Sequence, residues 1–444
     1  MAKHSDKWKG YFRCDDLVPP LCDDDLKVTN GTVETLKGVH VAYWRYTPSV
    51  LKPHKYPIVV INGGPGLPHN FIRPLRNLAC DGREVVMYDQ AGTGASALPG
   101  EDDDDDDSEQ EDVTKKYPEL LTLDYYANTE LPAIINALGA KRYHVLAESW
   151  GTMIAFEFAV SSSSKQNKHI REGLQSLTMN APIADNRKFI EYQWDLDDGT
   201  VGTLPTYTQE RLKHYNDTQN FDSEEFQELE EVVMSMFNAR IGVVVDCWIE
   251  TEEAGISSID YDPLTGTTDI FIPAPGVDLR GWTVLPELYK LKDIVPVQLN
   301  HGRYDMVRPR LVADTAAALG FDSVECHLLP QAAHSILLDS PKEVFFYMEG
   351  FIQRVEMARQ KNRRFQPNGT CPVWNKALGR AEYNTMLGWA NHSSNIASTP
   401  IVLSLVAIVV SFWLGMQVGM KRNKSLTEGY EPVKNAEQEL GGTL

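Results

Sequence analysis

Seven short apolar runs, each followed by an amphipathic stretch, limit this chain more than any other feature. GVHVAYWRY (38–46), YPIVVING (56–63), EVVMYDQ (84–90), YHVLAES (143–149), LQSLTMNA (174–181), PVQLNHG (296–302) and VECHLLP (324–330) have the length and β-branched content of strands. Several are apolar on both faces, as parallel strands covered on both sides must be. The segments 124–139, 150–160, 309–320 and 341–358 read as the helices between them. This β–α alternation predicts a three-layer domain with a mostly parallel sheet. The acidic, helix-compatible stretch from about 184 to 290, around DSEEFQELEEVVMSMFNARIGVVV, interrupts the alternation and reads as a smaller inserted unit.

The chemistry sits at strand ends. Ala147-Glu148-Ser149-Trp150-Gly151 follows the apolar run YHVL and precedes TMIAFEFAV, the strand–turn–helix setting of a nucleophile elbow. The sharp turn needs small residues two before and two after the serine, and alanine stands where glycine is usual. A serine hydroxyl is a weak nucleophile near neutral pH, so it needs a base, and the base needs an orienting acid. Asp305 follows PVQLNHG within GRYD and His334 follows VECHLLP within QAAHS, in the order serine, acid, histidine. The other histidines carry no such placement and read as structural.

Ile61-Asn62-Gly63-Gly64-Pro65-Gly66 follows another strand and can bring a backbone N–H close to developing negative charge. The backbone N–H of Trp150, the residue after the nucleophile, is the expected second oxyanion donor. A phosphate cradle is the rival reading, but there is no GxGxxG or GK[ST], and Pro65 removes a donor. No His/Asp/Glu cluster has metal-ligand spacing, so neither a metal nor another cofactor is expected.

Charge and hydropathy mark the remaining parts. Of the net charge of −20, ten negative charges fall in the twelve residues 101–112, which read as a solvated loop within 100–116. With no Lys/Arg-rich face, nucleic acid is not an expected partner. Residues 401–420, IVLSLVAIVVSFWLGMQVGM, carry no charge, and at ~1.5 Å per residue they span a ~30 Å hydrocarbon layer, predicting a C-terminal transmembrane helix in a lipid bilayer. Gly415 and Gly419 have the spacing of a helix-dimer contact, consistent with a homodimer.

The membrane side stays open. Lys421, Arg422 and Lys424 favour a cytoplasmic tail, and sequons at Asn30, Asn216, Asn368 and Asn391 agree. The start MAKHSDKWKGYFRCDDL has no apolar signal region and instead suits a tail anchor. Six cysteines (14, 22, 80, 247, 326, 371) fit either compartment, and their pairing is open.

NGGPG at 62–66, Tyr88-Asp89-Gln90-Ala91-Gly92-Thr93-Gly94-Ala95-Ser96, ESWGT at 148–152, GRYD at 302–305 and AAHS at 332–335 together resemble the proline iminopeptidase (prolyl aminopeptidase) family of α/β-hydrolases. The resemblance runs from about residue 30 to 358. It implies an α/β-hydrolase fold with an inserted helical cap, and a serine exopeptidase that releases an N-terminal residue, often proline, from a peptide substrate through an acyl-enzyme. It assigns Ser149 as nucleophile, His334 as base then acid, Asp305 as its orienter, and Gly64 with Trp150 as oxyanion donors. Asn62 replaces the family's histidine, and Ala91 replaces the arginine of its DQRG segment, removing an ion pair. The family holds the substrate amine with glutamates, and the corresponding positions are Glu225 or Glu228 in the cap and Asp269 in GTTDIF. The competing reading of these acids is a solvated helix face.

The expected division is a leader (1–29), a hydrolase core (30–184 and 291–360), a cap (185–290), a stalk (361–400), the membrane helix (401–420) and a polar tail (421–444). Two other functions remain open. One is an esterase or amidase with the same triad acting on a substrate without a free amine. The other is a catalytically inactive, membrane-tethered binding protein.

Overall fold

The computed structural model describes residues 13–17, 26–98, 113–161, 167–242, 245–257, 259, 261, 264, 278–369, 371–375 and 380–383. Eight strands form one sheet: β1 (Lys27–Leu36), β2 (Val39–Thr47), β3 (Ile58–Ile61), β4 (Val85–Tyr88), β5 (Tyr143–Glu148), β6 (Leu174–Asn180), β7 (Val297–Gly302) and β8 (Val324–Leu329). Their order is β1-β2-β4-β3-β5-β6-β7-β8. β2 pairs antiparallel with both β1 and β4, and every pairing from β4 to β8 is parallel.

Seven of these strands coincide with the apolar runs. β1 was not anticipated, because it is a half-exposed edge strand whose burial alternates and whose sequence, KVTNGTVETL, is largely polar. The central strands are buried on both faces. On β3, Val59 and Ile61 join one apolar cluster while Ile58 and Val60 join the other. That is the period-2 pattern of a strand between two helical layers, and each such side chain contributes roughly 1.5–3 kcal/mol by burial.

The helices fall where the amphipathic stretches predicted. A continuous helical run covers Leu123–Tyr125, Tyr126–Glu130 and α1 (Leu131–Leu138), and α2 (Trp150–Val160) follows the elbow. Between β6 and β7 come α3 (Asn186–Gln193), α4 (Thr206–Thr218), α5 (Glu224–Phe237) and α6 (Asp246–Gly255), which make up the helical insertion. α7 (Pro309–Leu319) and α8 (Pro341–Gln360) complete the layers. Core and insertion belong to one compact unit spanning Met1–Asn384.

Two disulfides with both cysteines among the described residues fix chain segments that sequence spacing left unpaired. Cys14 bonds Cys247 at the start of α6, tying part of the leader to the insertion, and Cys326 on β8 bonds Cys371. Residues 372–375 and 380–383, inside the expected stalk, form an antiparallel pair. Among the described residues no helix is long and apolar enough to cross a membrane. The expected transmembrane helix at 401–420, with Gly415 and Gly419, lies outside the described residues, as do the acidic run 101–112, Asp269 and Asn391.

Candidate active site

β5 ends at Glu148 and α2 begins at Trp150, so Ser149 alone makes the turn, with φ 52° and ψ −120°. That conformation is strained for a side-chain-bearing residue and is held by its surroundings. The Ser149 N–H donates to Asn180 O at 2.9 Å, and Thr152 donates to Ser149 O through both its N–H and its hydroxyl. Gly151 is required by contact: a Cβ there would lie 2.6 Å from Ile61 O and 2.7 Å from Asn62 O.

The structure brings Ser149, His334 and Asp305 together from three loops at the carboxyl ends of β5, β8 and β7. His334 Nε2 lies 2.8 Å from Ser149 Oγ, and His334 Nδ1 lies 2.7 Å from Asp305 Oδ1. Asp305 is fully buried, and its Oδ1 also accepts the N–H of Val307 at 2.8 Å. Gly302 allows the histidine loop to approach β7, since a Cβ there would stand 2.2 Å from Ala333 O. Burial pushes the His334 pKa down, but the attraction and hydrogen bond of Asp305, aided by Glu148, more than offset it, and the net shift is upward. A hydroxyl on an imidazole whose other nitrogen sits on a buried carboxylate is the arrangement that turns serine into a nucleophile.

Glycine-rich loop and elbow are linked by side chains. Trp150 Nε1 donates to Gln90 Oε1 at 2.9 Å, Gln90 Nε2 donates to Asn62 O at 3.1 Å, and Asn62 Nδ2 donates to Leu67 O. Asn62, at the family's histidine position, thus braces the loop containing Gly63 and Gly64. As the first residue of α2, Trp150 has a backbone N–H without an intrahelical acceptor. At the position where the family carries arginine, the Ala91 N–H donates to buried Glu130 at 2.9 Å, and burial with no cation raises the Glu130 pKa to about 8.

Ser149, Trp150, His334, Gly63 and Gly64 line a cavity of about 350 Å³. Its walls are mainly apolar: Phe71, Met153, Ile183 and Met306 from the core, and Phe189, Met234, Trp248 and Ile256 from the insertion. The insertion is latched to the catalytic loop, because the His334 and Ser335 N–H groups donate to Phe237 O at 3.1 Å and Asn238 O at 2.7 Å.

The expected amine-binding acids of the insertion are not in this cavity. Glu225 is held by Arg211 Nε at 2.6 Å and by Tyr215 Oη at 2.8 Å, and the Arg211 bond lowers its pKa to about 2. Glu228 is exposed on the same helix. Both sit on the outer face of the amphipathic α5, whose inner face buries Phe226, Val233 and Phe237. The acid that does line the cavity, Glu148, is the residue before the nucleophile. It was visible in the ESWGT motif, but its burial was not.

The family model for the alpha/beta hydrolase fold matches residues 56–341. The proline iminopeptidase of Lactobacillus helveticus (strain DPC 4571) is 26% identical over 260 residues, covering 58% of this chain and 77% of its own length. That of Clostridium botulinum (strain Hall / ATCC 3502 / NCTC 13319 / Type A) is 27% identical over 297 residues, 65% of this chain and 86% of its own. Among solved structures, the proline iminopeptidase of Mycobacterium smegmatis has a TM-score of 0.61 at 24% identity, covering 74% of this chain and 100% of that one. VinJ has a TM-score of 0.59 at 22% identity, covering 74% and 99%. These structural likenesses are likenesses of fold.

Proposed function

Since the chain belongs to the alpha/beta hydrolase fold family and is a prolyl aminopeptidase-like serine hydrolase, we propose that it releases an apolar N-terminal residue, proline foremost, from short peptides. The carrying observation is the Asp305–His334–Ser149 chain opening into an apolar cavity beneath the helical insertion. Ser149 Oγ attacks the carbonyl of the first residue while His334 Nε2 takes its proton. The Trp150 and Gly64 N–H groups receive the oxyanion, and His334 returns the proton to the leaving amine. Water then repeats these steps to free the acid and restore Ser149.

A fluorophosphonate probe tests the nucleophile. The expected adduct is on Ser149, is absent from Ser149→Ala and is blocked by a prolyl arylamide substrate. A folded protein that resists the probe and leaves prolyl arylamide intact would favour the binding-protein reading. The apolar walls also favour a second reading, an esterase or amidase for a neutral apolar acyl group. Equal turnover of N-acylated and free-amine substrates would select it.

The disulfides Cys14–Cys247 and Cys326–Cys371 support placing this domain in an oxidising compartment. Exposed Asn30 and Asn368 are then open to glycosylation. A mobility shift on glycosidase treatment is expected, and none at all of the sequons would argue for the reducing side.

A further inference from the structure

The cavity contains an ionisable group that is not a member of the triad. Glu148 is 4% exposed, and its Oε2 has no hydrogen-bond partner among the described residues. Buried carboxylates are ordinarily paired, because leaving one desolvated and unbonded is costly. Among the described lining residues the one group that can become a cation is His334, which the triad already uses. Among the described lining residues Glu148 is the only acid, and neither lysine nor arginine is present.

We propose that Glu148 is the ammonium-binding residue of this site, and that its carboxylate meets the free α-amine of the substrate's first residue. The proposal rests on the aminopeptidase reading and supplies the recognition group that Glu225 and Glu228 do not. Position along the substrate supports it. The α-nitrogen is two bonds from the carbonyl carbon that Ser149 attacks, and Glu148 is the residue next to Ser149. Both residues line the same cavity, so a carboxylate there can reach the amine of the first residue, while a preceding residue would replace that ammonium with a neutral amide. An exopeptidase register follows from this spacing without any acid in the insertion.

Electrostatics agree with a site for a cation. Burial raises the Glu148 pKa to about 7, opposed by His334 and reinforced by Asp305. Burial thus favours the protonated carboxyl over the ionised one. An arriving ammonium stabilises the ionised form, so the bound pair is neutral and charge-assisted. The structural alternative is that Glu148 acts only through His334, whose pKa it raises. That alternative treats substrates with and without an amine alike.

The test is the ratio of kcat/KM for a prolyl arylamide to that for its N-acetyl analogue, in wild type and Glu148→Gln. The expected ratio falls about 10- to 100-fold, the size of a lost charge-assisted contact, and Glu148→Asp recovers part of it. If both substrates slow together, or the ratio stays put while wild type still prefers the free amine, Glu148 is not the amine site and the aminopeptidase reading survives. If wild type itself shows no preference, both fail. A second measurement needs no variant: pyrrolidinium should inhibit the wild-type enzyme at least about tenfold more strongly than cyclopentanol, and equal inhibition overturns the proposal.

Discussion

Ser149, Asp305 and His334 stand on loops leaving parallel strands that are buried on both faces, whereas the side chains opposite them, such as Phe189, Met234 and Trp248, come from the amphipathic helices of the insertion. The floor fixes its groups by hydrogen bonds at defined atoms, and the roof contributes apolar surface with few polar constraints. Reaction geometry needs the first kind of construction, while accommodation of a side chain needs only the second. The two meet where the His334 and Ser335 N–H groups bind the end of α5.

The difference predicts large effects from the floor and graded ones from the roof. Ser149→Ala should lower kcat by about 10⁶-fold with little change in Tm, read by single-turnover hydrolysis. Asp305→Asn should cost about 10⁴-fold through the wrong imidazole tautomer. It should also move the acid limb of the kcat/KM profile to lower pH. The sign follows from the raised His334 pKa: the base works when neutral, activity fades as pH falls through that pKa, and removing Asp305 removes what raises it. A limb that stays in place would break the link between the two residues.

On the roof, Trp248→Ala should raise KM for apolar first residues by about tenfold while changing kcat little, because it removes burial common to ground and transition states. A kcat loss as large as that of Asp305→Asn would erase the contrast between floor and roof. Glu130→Gln probes the floor's stability. A folded-state pKa of about 8 means the folded protein holds a proton that the unfolded chain has released, so stability falls as pH rises from about 4.5 to 8. The variant should flatten that fall in Tm, apart from the share due to Glu148, whose shift has the same sign. Smallest of all, Glu225→Gln should leave kcat/KM within about twofold, since its exposed pair with Arg211 is worth little.

Legibility in the sequence follows the same division. The strands were readable because burial on both faces leaves uninterrupted apolar runs, and the triad because each member occupies a strand end in a fixed order. β1 escaped because an exposed edge strand has mixed polarity. The disulfide between Cys14 and Cys247 joins residues 233 apart, a distance at which spacing carries no information. The amine-binding acids were sought in the insertion, where Glu225 and Glu228 mark a solvated face, and periodicity alone does not say which acid a helix turns inward. Glu148 stood beside the nucleophile throughout, but only tertiary packing reveals that the residue is buried and that its Oε2 has no hydrogen-bond partner among the described residues.

The most direct test of the account is hydrolysis of a prolyl arylamide by the wild-type enzyme beside its N-acetylated counterpart. A free-amine preference of about 10- to 100-fold is expected from a buried carboxylate facing the ammonium. Comparable rates on the two substrates would contradict it.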